Sequence, residues 1–268
     1  MTPPREPVIK DVLDELLQTV SPTRLNCWLQ CRLKFWFHYV LRLRRASKSS
    51  LHVGNVVHSV LQAWNLTRWR QKAVDVEALK DTFQQSWQES QAGQGINWGN
   101  EEPKQQTATW ALLEAYFQKT PITMNERPEA VEALVEADLT LHGLPKLVGV
   151  IDLVRAGRRI VDYKTTKQTP TSKKADHLNE TQTSSYAVMY RAATGRKESG
   201  IEIHHLVKLK KPKIVITPFE PMTDNQQSRL FRIIESYVAG LDREDFVPSP
   251  GLLCHSCEYF DECRKWCG

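Results

Sequence analysis

The chain has 268 residues, 41% of them hydrophobic and 25% charged, with a formal net charge of +5. These proportions suit a globular protein with one large core or two small ones and exclude a disordered or fibrous chain. No run of about 18 apolar residues is present to span a membrane, and the start, MTPPREPVIKDV, lacks the apolar stretch of a secretory signal.

These absences predict a cytoplasmic protein with no membrane partner. In that compartment the six cysteines are expected to be metal ligands or free thiols, not disulfides. The positive charge permits an anionic partner such as nucleic acid without requiring one.

In chain order, residues 1–20 read as an N-terminal leader with a short amphipathic stretch (Val8, Val12, Leu16, Leu17). Ser21-Pro22-Thr23 is a helix start, with a hydroxyl at the cap and proline at the first helical position. The helix carries Leu25, Trp28, Leu29, Phe35 and Trp36. It is predicted to end near Arg42, Arg44, Arg45 and Lys48, where cations form a solvated cap on the negative end of the dipole. Further helices are predicted over 53–70, 75–90 and 103–119, with a loop at 91–95. Most tryptophans fall at helical spacing and belong to the core; Trp98, in the loop before the fourth helix, is the one candidate to test for DNA contact.

After Pro128 the period changes. Val131, Ala133, Val135, Ala137, Leu139 and Leu141 alternate as in a half-buried strand, and a turn follows at 142–145. Strands are predicted over 147–154 and 160–164 around a tight turn, then a polar irregular stretch over 165–179. A helix over 180–194 stops at Gly195. Strands follow at 201–209 and 214–218. Thr223 and Gln226 form a capping box for a last helix, ended by Gly240. The order predicts an α/β fold: a mixed central sheet flanked by helices, with a helical N-terminal part and a cysteine tail. Residues 21–268 are expected to form a single domain: a helical part (21–120), an α/β core (128–240) and a tail (241–268).

Two features carry chemistry. Cys31 stands alone near the start, whereas Cys254, Cys257 and Cys263 form C-x2-C-x5-C near the end. Cys27 and Cys267 lie close enough to leave the choice of ligands open, and C-x2-C also suits zinc. In the middle, Gly149-Val-Ile-Asp152 precedes Ile160-Val-Asp162-Tyr-Lys164. Asp162 and Lys164 share one strand face, and a turn near 157 sets Asp152 opposite Asp162 within about one pair position. Two carboxylates in an apolar hairpin need a cation, and oxygen ligands suit Mg²⁺ or Mn²⁺. Glu136, on the preceding strand, is expected on its polar, exposed face.

That hairpin resembles the motifs of the PD-(D/E)xK nuclease superfamily, in its RecB-like branch. The likeness extends to Ser21-Pro-Thr-Arg-Leu25 with Cys31-x-x-Lys34-Phe35-x-Phe37, to Gly54-Asn-Val-Val-His58, to Gln182-Thr-Ser-Ser-Tyr186, and to Phe246-x-Pro248-x-Pro250-Gly ahead of the three cysteines. These five ordered signals are similar to those of CRISPR-associated RecB-like nucleases and the AddB nuclease domain. Cys27, Cys267 and Arg32 depart from the pattern.

The resemblance implies a restriction-endonuclease-like fold and a metal-dependent DNA nuclease. It favours exonuclease action on single-stranded ends, in repair, recombination or CRISPR-type processing. It implies His58, Asp152, Asp162 and the Tyr163 carbonyl as ligands of Mg²⁺ or Mn²⁺, and Lys164 as the catalytic lysine. Gln182 and Tyr186 would contact substrate or support the metal, and Cys31, Cys254, Cys257 and Cys263 would hold a [4Fe–4S] cluster. Partner nuclease or helicase proteins, or a second copy of the chain, are compatible with it. The rival readings are a DNA-binding subunit without activity and a zinc-stabilised adaptor.

Overall fold

Six strands among the described residues form one mixed sheet. The computed structural model describes residues 6–91, 96, 98, 100–170 and 172–267; the first five residues of the predicted leader and loop residues 92–95 lie outside them. Strand β1 (Thr19–Val20) runs parallel to the start of β3 (Lys146–Arg155), and β2 (Ala130–Ala137) runs antiparallel to it along its length. β4 (Arg159–Thr166) pairs antiparallel with the end of β3, β5 (Gly200–Val207) parallel with β4, and β6 (Lys213–Phe219) antiparallel with β5. The β3–β4 turn is tight because Gly157 (φ 77°) and Arg158 (φ 66°) both take the left-handed conformation that matches hairpin twist.

Helices cover both faces. On one side α1 (Glu6–Gln18), α2 (Pro22–Gln30), α7 (Ser172–Thr194) and α8 (Asp224–Asp242) bury Leu16, Leu25, Met189 and Tyr237 against Leu147 and Ile151. On the other, α4 (Ser49–Trp69), α5 (Val76–Gln91) and α6 (Glu102–Lys119) bury Val57, Trp64, Phe83 and Tyr116 against Leu153, Val161 and Leu206. α7 is the crossover that the parallel β4–β5 pair requires. None of the described helices is long and apolar enough to cross a membrane.

Several local expectations change. Residues 6–20 are packed: α1 buries Val12, Leu13 and Leu16, and β1 joins the sheet. The first predicted helix breaks at Cys31, whose backbone is extended (φ −167°, ψ 115°) and whose Sγ accepts from Lys34 N at 3.4 Å. The sulfur thereby caps a new short helix, α3 (Arg32–Phe35), which passes into a π turn, Trp36–Val40.

The basic run is a loop, closed off by Arg42 in a left-handed conformation (φ 51°). Its cations do more than cap a helix. Arg45 Nε donates to Glu258 O (3.1 Å) and Lys48 Nζ to Ser256 O (2.9 Å), so the run is fastened to the tail.

α7 begins at Ser172, so most of the polar stretch expected to be irregular is its first two turns. α8 continues through Gly240 because that position faces the Trp28 ring, which a Cβ would overlap. Trp98 stacks on Trp87 (5.5 Å, 24°) and meets the edge of His52, so its ring is engaged within the protein and does not stand free for DNA.

Candidate active site

The site lies where β3 and β4 part. Their pairing stops at Leu153–Val161, and the next position in register sets Asp152 against Asp162. There the ladder gives way to a side chain: Tyr163 N donates to Asp152 Oδ2 at 2.9 Å. Asp152 and Asp162 are both buried.

α4 supplies His58. Its Nδ1 is 3.5 Å from Asp152 Oδ1 and its Nε2 is 2.9 Å from the Tyr163 carbonyl oxygen. Burial lowers the affinity of His58 for a proton, but the hydrogen bond and charge of Asp152, aided by Asp162 and Glu132, outweigh it and raise its pKa to about 9.

Glu132 was missed by the sequence reading. Its carboxylate, His58 and Asp152 place one ligand atom each within 4.8 Å of one another. Burial and the Asp152 charge raise Glu132 to about 7. The register sets Glu132 across from Asp152, yet its φ of 47° keeps it out of the ladder. The pleat changes phase at this pair. Ile151 packs in the first core and Leu153, two residues on, in the second, as do Val135 and Val131 on β2. Counting alternation straight through β2 therefore misplaces Glu132. Glu136 is exposed and pairs with Lys146 at 3.0 Å, as expected.

On the other side of the split, α7 brings Gln182 and Tyr186, one turn apart, onto β4. Asp162 Oδ1 accepts from Gln182 Nε2 (2.8 Å) and Tyr186 OH (2.9 Å). Lys164 Nζ donates to Gln182 Oε1 at 2.5 Å. Asp162 Oδ2 is buried without a hydrogen bond, and Lys164 Nζ at 3.3 Å is its ion-pair partner. Burial raises the Asp162 pKa, against the lowering effect of Lys164. A buried carboxylate oxygen left this way is costly unless a further cation meets it.

The Tyr163 side chain points to the opposite face and anchors the strand. Asn65, two turns after His58 on α4, donates to Tyr163 OH at 3.0 Å, and Arg68 donates to Asn65 at 2.7 Å. Nearby, Tyr116 OH meets His204 Nδ1 at 2.8 Å and His204 Nε2 meets Glu202 at 3.1 Å. His204, which the sequence reading gave no role, thus belongs to a structural network.

Four of the six cysteines also come together. Cys31, Cys254, Cys257 and Cys263 line one cavity of about 140 Å³, between α3 and the tail. Burial, and then the neighbouring Cys31, Cys254 and Cys257, raise the Cys263 pKa. Cys27 is not in that lining. It packs against the first core, and burial raises its pKa to about 11; Cys267 is exposed.

The fold is similar to that of a candidate exonuclease from Eubacterium rectale, with a TM-score of 0.62 at 16% identity over 96% of this chain and 91% of that one. A weaker likeness, to the protein SSO0001, has a TM-score of 0.43 at 14% identity over 96% of this chain and 94% of that one. No curated protein sequence matches. A family model of the PD-(D/E)xK nuclease superfamily matches residues 19–264, which include the β3–β4 split and every residue described around it. The chain belongs to the PD-(D/E)xK nuclease superfamily.

Proposed function

We propose that this protein hydrolyses phosphodiester bonds of DNA with the help of a divalent cation held at the β3–β4 split. The observation that carries this reading is the convergence of His58, Glu132 and Asp152 within 4.8 Å, beside a buried Asp162 oxygen that lacks a hydrogen bond. Imidazole and carboxylate donors of this kind fit Mg²⁺ or Mn²⁺. His58, Asp152, Asp162 and the Tyr163 carbonyl would hold the ion, with Glu132 as a further oxygen donor. A bound ion supplies positive charge for a phosphate oxygen and lowers the pKa of a bound water.

The chain's own groups do the rest. Lys164, held by Gln182 and paired with Asp162, offers a fixed cation to the charge that builds on phosphorus, or orients the attacking water. Tyr186 and Gln182 keep Asp162 Oδ1 engaged, which leaves Oδ2 to Lys164.

The four cysteines that line one cavity support a [4Fe–4S] cluster held by Cys31, Cys254, Cys257 and Cys263, because one ligand comes from more than 220 positions upstream of the other three, unlike the paired close knuckles of a usual zinc site. Its role is structural: it ties α3 to the tail. This arrangement fits the RecB-like branch. Action on single-stranded ends as an exonuclease, in the cytoplasm, during repair, recombination or CRISPR-type processing, is the setting we infer.

The test is digestion of 5′- and 3′-labelled single- and double-stranded DNA by anaerobically purified protein with Mg²⁺, Mn²⁺ or EDTA. Lys164→Ala is expected to lose activity by about a hundredfold or more while folding normally. A Lys164→Ala protein that degrades DNA as fast as wild type overturns the catalytic assignment. Four iron and four sulfide per chain support the cluster, whereas one zinc and no iron overturns it.

A further inference from the structure

A basic cleft leads away from Lys164. Its inner part, of about 380 Å³, is lined by Lys164, Gln182, Cys27, Lys34 and His38. Lys34, His38 and Glu258 also line a larger outer part, of about 1060 Å³, which runs along the 42–48 loop and the start of α4. The two parts adjoin: Lys34, His38 and Glu258 line both.

Its charge is lopsided. Lys34, Arg42, Arg44, Arg45 and Lys48 line the outer part, and Glu258 is the carboxylate among the lining residues. Lys34 and Lys48 share Glu258, at 3.3 and 3.2 Å. Arg42 pairs with Glu15 and Arg45 with Glu262. Arg44 is exposed and makes no hydrogen bond or ion pair among the described residues. The groove therefore keeps an excess of positive charge, and Arg44 is where that charge is uncommitted.

The lining is not only cationic. Leu51 stands 55% exposed on the first turn of α4, and Leu43 and Ala46 line the same outer part. A duplex stacks its bases inward and shows these side chains only the edges in its grooves, reached from between two phosphate backbones. A single strand offers both a phosphate backbone and unpaired bases, the combination for which such grooves are built.

We propose that this groove is a binding track for single-stranded DNA, in which Arg44 takes a phosphate and Leu51 packs against an unpaired base. The track leads the strand past Lys34 and His38 to Lys164, and to that extent it rests on the nuclease reading above. The loop that forms its wall has no regular structure of its own. It is held in place by Arg45 and Lys48, which donate to tail carbonyls, and by Tyr259 OH, which donates to Leu43 O at 3.1 Å.

The experiment is fluorescence anisotropy with a labelled oligothymidylate and with a duplex of equal length, on the full chain in EDTA so that nothing is cut. Arg44→Glu, at an exposed residue outside the catalytic group, is expected to weaken single-strand binding about tenfold and to make the logarithmic salt dependence shallower by about 0.7. Leu51→Ser, which removes the apolar surface without adding charge, is expected to weaken binding of the single strand about tenfold and to leave the duplex affinity unchanged. The proposal is overturned if wild type does not bind the single strand at low salt, if both variants bind it like wild type, or if Leu51→Ser loses both DNA forms equally. Hydrolysis of bis(p-nitrophenyl) phosphate with Mn²⁺ separates the two readings. This ester reaches only the inner site, so Arg44→Glu is expected to hydrolyse it at the wild-type rate. A wild-type chain that cuts neither the ester nor DNA defeats the nuclease reading, while the anisotropy still decides the track.

Discussion

Gln182 holds Lys164 with its carbonyl and Asp162 with its amide: Lys164 Nζ donates to Oε1 at 2.5 Å, and Nε2 donates to Asp162 Oδ1 at 2.8 Å. One side chain on α7 thus fixes the distance between a cation and a carboxylate on β4. Gln182→Leu removes both contacts from a half-buried position without adding charge. We expect kcat on DNA to fall about 10- to 100-fold, within the range assigned to lost positioning, with little change in melting temperature. A variant with unchanged kcat would show that Lys164 is placed by the strand alone.

Cation binding should depend on pH. Metal-free, His58 keeps its proton up to about pH 9 and Glu132 up to about pH 7. A cation that takes both groups must displace both protons below pH 7 and one between pH 7 and 9. Affinity for Mn²⁺ therefore rises with pH, by up to about tenfold per unit for each proton displaced. Calorimetry in buffers of different ionisation enthalpy reads that release directly. His58→Ala should flatten the upper part of the curve, and Glu132→Gln the lower. A profile flat from pH 6 to 9 would remove both residues from the ligand set.

Tyr163→Phe tests the anchor behind the site. The change strands the Asn65 amide, which donates to the phenol at 3.0 Å in a fully buried position. Leaving a buried donor unpaired costs about 1–3 kcal/mol. A thermal melt should fall by roughly 2–4 °C for each kcal/mol. Mn²⁺ affinity should fall as well, because Asn65 holds the helix that carries His58. An unchanged melt would mean that Asn65 finds another partner.

Gly240→Ala sets two effects against each other. Alanine is favoured over glycine inside a helix by about 1 kcal/mol. Here the new methyl would overlap Trp28, whose ring is already wedged among Phe35, Tyr237 and Phe246 at centroid distances of 5.4, 5.7 and 6.2 Å. Overpacking a site of this kind costs about 1–3 kcal/mol, so the packing term should win and the variant should melt at a lower temperature. A more stable variant would show that Trp28 can retreat.

The sheet and half of the split were legible because each rests on a periodic or local rule. A tight turn at 156–158 makes the register of β3 and β4 a matter of counting, and counting brings Asp152 to Asp162. Gln182 and Tyr186 were singled out by the resemblance; helical spacing adds only that they lie one turn apart on one face. What was not legible depends on departures from period. Glu132 was lost because the pleat slips at its left-handed backbone, and no residue type in the sequence announces a left-handed glutamate. The break at Cys31 was lost because a thiol is not an ordinary helix cap. The length of α8 was misjudged because Gly240 answers to Trp28, more than two hundred positions away, and not to the end of its own helix.

The fastening of the 42–48 loop to the tail also fixes an order of assembly. Lys48 and Ser256 are 208 positions apart, Arg45 and Glu258 213, and Leu43 and Tyr259 216. A chain leaving the ribosome at its N-terminus carries α3 and its basic loop long before their supports exist. The β3–β4 hairpin, whose paired residues are only 4 to 8 positions apart, can close early. Asp152 and Asp162 are thus set opposite each other while the groove beside them has no wall. That wall rises only when residues 254–263 emerge, so a truncated or interrupted product keeps its acidic hairpin and lacks the passage that would feed it.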